Sequence, residues 1–428
     1  MKKAAFLGLD GAPYSLLKEL MEQGVLPNMK EIFSNGSFIP MNSSLPEVSS
    51  VAWSSFMTAE NPGAHGIFGF TDLKPGTYSL YFPNYSHLKG MTLWDRVGRA
   101  GGRSIVLNVP STYPAKPLDG IMTAGFVAPD MKKATWPESA YKYLSGIGYK
   151  TDVDTAKARQ SHELLAEDLM NTLAKRREAF LYYLAKGDWD LFLSVVTETD
   201  RLHHFLWHAY EDPSSPLHGF FLDFYRAIDR FTAEFFDAVN SRFPGTPVVM
   251  MSDHGFCGLK KEIYLNYWLR QKGYLELSRT PAQSWEDIAA GTRAFAMDPS
   301  RIYVNLKGKY PGGAVEPGSQ YEETVSDIME EITGIEIDGA RVIKRVFRKT
   351  EAYSGPFSGD GPDIVVLPVH GYDLKGAISK DALSGRGFLS GMHTHDDAFF
   401  YCGKDIELPE SMRVEDAGRA IISLMELG

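Results

Sequence analysis

An α/β architecture, with a doubly wound, largely parallel sheet sandwiched by helices, follows from two features of the 428-residue sequence. Short apolar runs of strand length recur along it, and amphipathic stretches of helical period separate them. The runs AAFLGLD, SIVLNVP, DLFLSVV, PVVMMSD and DIVVLP are rich in branched residues and apolar at consecutive positions, as strands buried on both faces require. SLLKELMEQG, TLWDRVGRAGG, the stretch from His162 to Lys186 and LDFYRAIDRFTAEFFDAVN carry helical spacing and often end at Gly. In such sheets ligands bind beyond the carboxyl ends of the strands.

The alternation breaks down between Ser278 and Tyr353. There RAFAMDPSRIYVNLKG, a helical stretch from Tyr321 to Thr333 and RVIKRVFRK read as a small α+β insertion, taken as a cap. DIVVLPV, GMHTHDD, AFFYCG and a terminal helix from Val414 to Leu427 then return to the core. The expected division is therefore a discontinuous main domain of residues 1–277 and 354–428 around a cap of residues 278–353.

Hydrophobic residues at 44% and charged residues at 23%, without a biased tract, describe a globular chain and exclude a disordered or fibrous one. A formal net charge of −10 argues against broad nucleic-acid or anionic-membrane binding and favours small-molecule partners. Cys257 and Cys402 are too few for a disulfide framework and suit a reducing compartment. Lys2 and Lys3 before AAFLGL imitate the start of a signal peptide, but the run is short and Asp10 interrupts it, so it reads as a strand. No stretch approaches the roughly 20 apolar residues of a membrane span. A soluble, cytoplasmic protein is the expectation.

Four segments carry metal-ligand chemistry. Asp10 ends the first strand before Gly11, where a carboxylate projects at the ligand edge or caps the next helix. Asp200 and His204 follow DLFLSVV four residues apart, one helical face, with His203 and His208 as neighbouring competitors. PVVMMSDHGF runs a buried strand directly into Asp253 and His254, which is poor structural economy unless something binds there. SGMHTHDD offers His393, His395, Asp396 and Asp397 in a Gly-containing loop. Carboxylate oxygen and imidazole nitrogen together suit zinc or manganese better than thiolate-seeking metals. Two ions roughly 4 Å apart would clamp the attacking and leaving oxygens of a phosphoryl displacement. A nucleophile comes from LPEVSSVAWSSFMTA, where Ser49 and Ser50 open a helical run whose first amides favour phosphate oxygens.

Taken in order, LGLDGA, a serine-containing segment followed by NPGAHGI, DRLHH after a strand, SDHG at a strand end and a late GMH resemble the type I phosphodiesterase and nucleotide pyrophosphatase branch of the alkaline phosphatase superfamily. NVPSTYP, YVNLKGKYP and GPDIVVLP are similar to its prokaryotic subgroup of predicted phosphohydrolases and phosphomutases. The resemblance spans most of the chain and implies an alkaline phosphatase-like fold with two divalent ions, zinc or manganese. One ion would be held by Asp200, His204 and His393, the last because the family's late ligand follows a Gly-x pair. The other would be held by Asp10, Asp253, His254 and Ser49. Counting back from NPGAHGI selects Ser49 as nucleophile: attack on phosphorus gives a phosphoserine, and water then clears it.

The resemblance implies a phosphodiesterase acting on a small phosphate ester. A phosphomonoesterase or metal-dependent phosphomutase is the nearest alternative, and a catalytically silent metal- or phosphate-binding protein the alternative of another class. One departure bears on specificity. Better-known nucleotide pyrophosphatases carry an asparagine shortly after HGI that contacts a phosphoryl oxygen, whereas HGIFGF places Phe70 there. Asn108 in LNVPST is the candidate substitute donor, although a strand-ending asparagine also serves turns. SSVAW lacks the Cys/Ser-x-Pro-x-Arg pattern of sulfatases, and GLDGAP lacks the G-x-G-x-x-G of dinucleotide dehydrogenases.

Overall fold

In the computed structural model, which describes residues 1–427, the first strand, Ala4–Leu9, lies in the middle of an eight-stranded sheet. Across the sheet the order is Ser37–Met41, Ala398–Cys402, Val248–Met251, Ala4–Leu9, Leu191–Val196, Ser104–Val109, Gly120–Ala124 and Thr135–Trp136. The five strands from Val248–Met251 to Gly120–Ala124 are parallel. The outer three pair antiparallel.

The consecutive apolar residues are explained by burial on both sides, because successive side chains alternate faces. Ala5, Leu7 and Leu9, with Val248 and Met250, enter one cluster beneath the helices Tyr14–Glu22, His162–Lys186 and His218–Arg242. Ala4 and Phe6, with Val249 and Met251, enter the opposite cluster beneath Ser49–Thr58, Leu93–Arg99 and Val414–Met425. Four of the five expected strands and the four helical stretches are therefore core elements. No helix among the described residues is long and apolar enough to cross a membrane.

The fifth strand is placed differently. Ile364–Pro368 joins a separate sheet of order Ala294–Met297, Arg301–Val304, Ile364–Pro368 and Ile343–Arg348, antiparallel throughout. It is still buried on both faces, so its composition matches a central parallel strand. The helix Ser319–Ile332 packs on this sheet, and the shared apolar cluster takes in Leu73 and Tyr78 as well as residues from Ile263 to Ile378.

Register sets the position of the site. Leu9 pairs with Val196 and Gly8 with Met251, so three parallel strands end side by side. Asp10, Asp253 and the helix Glu198–Glu211 leave the sheet at that one edge.

Candidate metal centre

Two ligand groups meet at this edge. Asp200, His204 and His393 form one and Asp10, Asp253 and His254 the other, with ligand atoms in each group within 4.8 Å of one another. Asp200 and His204 share a face of Glu198–Glu211, with His204 Nε2 3.1 Å from Asp200 Oδ2. His393 arrives on Gly391–Thr394, which is a strand and not the expected loop: it pairs antiparallel with Gly255–Gly258, setting His393 opposite Phe256. That pairing brings the His393 ring to 3.6 Å, centroid to centroid, from His254 and joins the two groups.

Ser49 is the first residue of the helix Ser49–Thr58. Its Oγ lies 3.3 Å from Asp10 Oδ1 and 3.2 Å from His254 Nε2. The helix is seated by a close approach at Gly8, where an added Cβ would come within 2.5 Å of Trp53 Cη2. The seated Trp53 donates its indole N–H to Asp10 Oδ2 at 2.9 Å. Gly11 follows in a left-handed conformation, φ 64°, that turns its N–H onto Asp253 Oδ1 at 3.0 Å.

The donor set fits metal ions. His204, His254 and His393 each turn Nδ1 to a backbone carbonyl, of Gly391, Gly255 and Glu47 respectively, at 3.3, 3.1 and 3.0 Å. With Nδ1 carrying the proton, each Nε2 is left as a lone pair aimed into the centre, the outer-shell arrangement of metal-bound histidine. Asp200 Oδ2 and Asp253 Oδ2 are buried without a hydrogen-bond partner among the described residues. His393 Nε2 stands 3.0 Å from His204 Nε2. Lone pairs converging on buried carboxylate oxygens call for cations.

The electrostatics agree. Burial, then the neighbouring Asp253 and Asp200, raises Asp10 well above the usual carboxylate range. Burial, helped by Asp200, lifts Asp253 to about 7, and burial with His393 nearby lowers His254 to about 4. Burial also acts upward on Asp200, but His204 and the Arg201 guanidinium outweigh it and hold Asp200 well below the ordinary value.

The competitors fall elsewhere. His203 is a core residue, with Nδ1 3.0 Å from Gly11 O and Nε2 2.8 Å from the Tyr225 hydroxyl. His208 packs against His162. His395 joins neither group, Asp396 pairs with His370 and Lys344, and Asp397 accepts from Ser15. Ser50 Oγ is buried without a partner. Asn108, the candidate substitute donor, gives its amide nitrogen to Val195 O at 3.1 Å and Thr197 Oγ1 at 3.3 Å. Phe70 instead meets Phe126 edge-on, and the Phe126 ring faces Arg201 at 4.3 Å.

Several supporting residues escaped sequence reasoning. Arg201 adjoins Asp200, bonding its Oδ1 at 3.0 Å while Asp152 holds the guanidinium from the other side. Its place beside a ligand in DRLHH was the available signal. Arg176 and Glu198, both fully buried, pair at 2.6 Å and fix the first turn of the ligand-bearing helix. His65 of NPGAHGI supports the serine helix from within, its Nε2 2.9 Å from Ser55 Oγ.

The family model described as type I phosphodiesterase / nucleotide pyrophosphatase matches residues 4–396. No curated protein matches the chain. Among solved structures, phosphonoacetate hydrolase from Sinorhizobium meliloti 1021 in complex with phosphonoacetate is similar in fold. Its TM-score is 0.68 at 19% identity, covering 99% of this chain and 96% of that one. Murine ectonucleotide pyrophosphatase / phosphodiesterase 5 aligns with a TM-score of 0.59 at 14% identity, over 100% and 96%. The human form aligns at 0.57 and 14%, over the same shares. With 393 contiguous residues inside the family model and the ligand groups assembled at its sheet edge, the chain belongs to the type I phosphodiesterase / nucleotide pyrophosphatase family of the alkaline phosphatase superfamily and is a metal-dependent phosphoryl hydrolase.

Proposed function

We propose that the protein is a phosphodiesterase that uses Ser49 as nucleophile beside two divalent ions, zinc the first choice and manganese the second. The carrying observation is the position of Ser49 Oγ between Asp10 and His254 at the opening of a helix. Asp200, His204 and His393 would hold one ion; Asp10, Asp253, His254 and Ser49 the other. Bound there, the ions would supply positive charge for the phosphoryl oxygens and lower the pKa of a coordinated hydroxyl.

The chain's own residues supply the rest. Ser49 directs its hydroxyl hydrogen to Asp10, exposing oxygen lone pairs to phosphorus. As the Oγ–P bond forms, the Ser49 hydroxyl proton is released to solvent, the P–O bond to the leaving alcohol breaks, and that oxygen departs with a proton taken from solvent. Water then breaks the Oγ–P bond and restores the serine. Burial lowers the pKa of His254 and of His393, which favours the neutral rings their ligand role needs. The two free cysteines, Cys257 and Cys402, support a reducing, cytoplasmic setting.

Single-turnover kinetics on metal-loaded protein tests the reading, with a panel of aryl phosphate diesters and monoesters as substrates. Ser49→Ala should lose nearly all turnover while retaining metal, Ser50→Ala should be milder, and peptide mapping should find phosphate on Ser49. Near-normal turnover by Ser49→Ala defeats the nucleophile assignment; a strong monoester preference or mutase activity defeats the diesterase reading alone.

A further inference from the structure

A cleft of about 800 Å³ opens between the hairpin Asp72–Leu73/Leu80–Tyr81 and the loops around Lys309 and Phe357. No residue of either ligand group lines it. Its volume lies within the ~300–1,000 Å³ range of small-ligand sites.

The walls carry unspent positive charge. Lys74, Lys89 and Lys309 line the cleft, and none of them forms an ion pair among the described residues. Lys309 is half-buried, and among the described residues its ammonium bonds only the Gly359 carbonyl, at 3.1 Å. Of the two lining carboxylates, Asp72 stands 3.9 Å from the buried Arg301 guanidinium, which leaves Asp360 as the uncommitted one. Three free lysines against one free carboxylate make a local cationic site on a chain whose net charge is −10.

Rings supply the second half. Phe82 stands at the lip with 71% of its surface exposed. Tyr310 and Phe357 line the interior, and Lys309 Nζ lies 5.6 Å from the Tyr310 ring centroid. Cations interleaved with aromatic rings select a planar ring that carries negative charge.

We propose that this cleft is a second ligand site, separate from the metal centre, for a small aromatic anion of the aryl phosphate type. The phosphate meets Lys309 and its neighbouring lysines, and the ring stacks on Phe82. This assignment does not depend on the Ser49 reading.

Pyridoxal 5′-phosphate is a suitable probe, because it joins a planar aromatic ring to a phosphate through one methylene, and its aldehyde condenses with a lysine amine, losing water, to an imine that borohydride reduces and fixes. Burial lowers the pKa of Lys309, which favours that condensation there. On full-length, chelator-treated protein, mass-spectrometric mapping should place the label on Lys309 or Lys89, with phenyl phosphate protecting both. Phe82→Ala, a surface change that leaves folding intact, should weaken probe binding roughly tenfold through the lost stacking. Lys309→Met should abolish the preferred label. Label distributed over lysines by exposure alone, unchanged affinity in Phe82→Ala, or binding that vanishes with the metal would each overturn the proposal.

Discussion

Replacing Trp53 by Phe isolates how one neutral group outside the ligand sets holds the metal centre. Trp53 is fully buried, and among the described residues its indole N–H is the sole hydrogen-bond donor to Asp10 Oδ2, at 2.9 Å. A hydrogen bond to a charged acceptor contributes about 1.5–3 kcal/mol. Its loss frees Asp10 to rotate and raises a carboxyl pKa that burial already holds high, since the Trp53 bond is one of the influences lowering it. Both effects oppose metal binding, and no net charge changes, so nothing compensates. The expected result is a ~10–100-fold weaker ion at the Asp10–Asp253–His254 group, with the Asp200–His204–His393 group unaffected. Zinc titration against a chromophoric chelator resolves the two steps. Trp94→Phe is the matched control: that indole is also buried but bonds the Tyr85 hydroxyl, so it loses similar volume without touching a ligand. Two unchanged zinc affinities in Trp53→Phe, or equal losses in both variants, would refute the reasoning.

Gly8→Ala should cost about 1–3 kcal/mol by overpacking, because the new methyl meets Trp53 at 2.5 Å and Val195 at 3.1 Å; urea unfolding at wild-type stability counts against the tight helix seat. Arg176→Met should cost about 3–5 kcal/mol by leaving Glu198 buried and alone, and adding Glu198→Leu should recover most of it. A double variant no more stable than the single one contradicts the ion-pair account. Burial lowers the His65 pKa from 6.5 to about 3, so the folded state binds fewer protons than the unfolded one across that interval. Its contribution is complete above pH 6.5 and is lost as pH falls toward 3, with a limiting slope of about 1.4 kcal/mol per pH unit. His65→Gln should therefore lose stability less steeply than wild type between pH 6.5 and 4; parallel curves exclude the assignment.

Much of the fold was legible because parallel strands buried on both faces write unbroken apolar runs. The same signal misled at Ile364–Pro368. This strand is also sandwiched, so its five buried residues cannot reveal whether its neighbours run parallel or antiparallel. Gly391–Thr394 failed in the opposite direction, since four residues with two polar side chains resemble a turn until Gly255–Gly258 pairs with them. Both outcomes depend on partners outside the segment itself, Arg301–Val304 and Ile343–Arg348 for the first and Gly255–Gly258 for the second, and local periodicity carries no information about them.

The candidate metal centre divides along a similar line. Asp10, Asp253 and the Asp200–His204 pair were visible because strand ends and helical spacing are local, whereas His393 was separated from His395 only by likeness to a family pattern. What orients the histidines was invisible for a stronger reason: Gly391, Gly255 and Glu47 contribute carbonyl oxygens, a group that every residue possesses. Backbone acceptors impose no side-chain signature, so a sequence can specify ligand types while hiding the shell that aims them. Trp53 is the instructive exception. Its role follows from Gly8, because a residue without a Cβ beneath a buried indole is what allows the ring to reach Asp10. A glycine inside a central strand is therefore the kind of sequence feature from which supporting residues of such a centre can be sought.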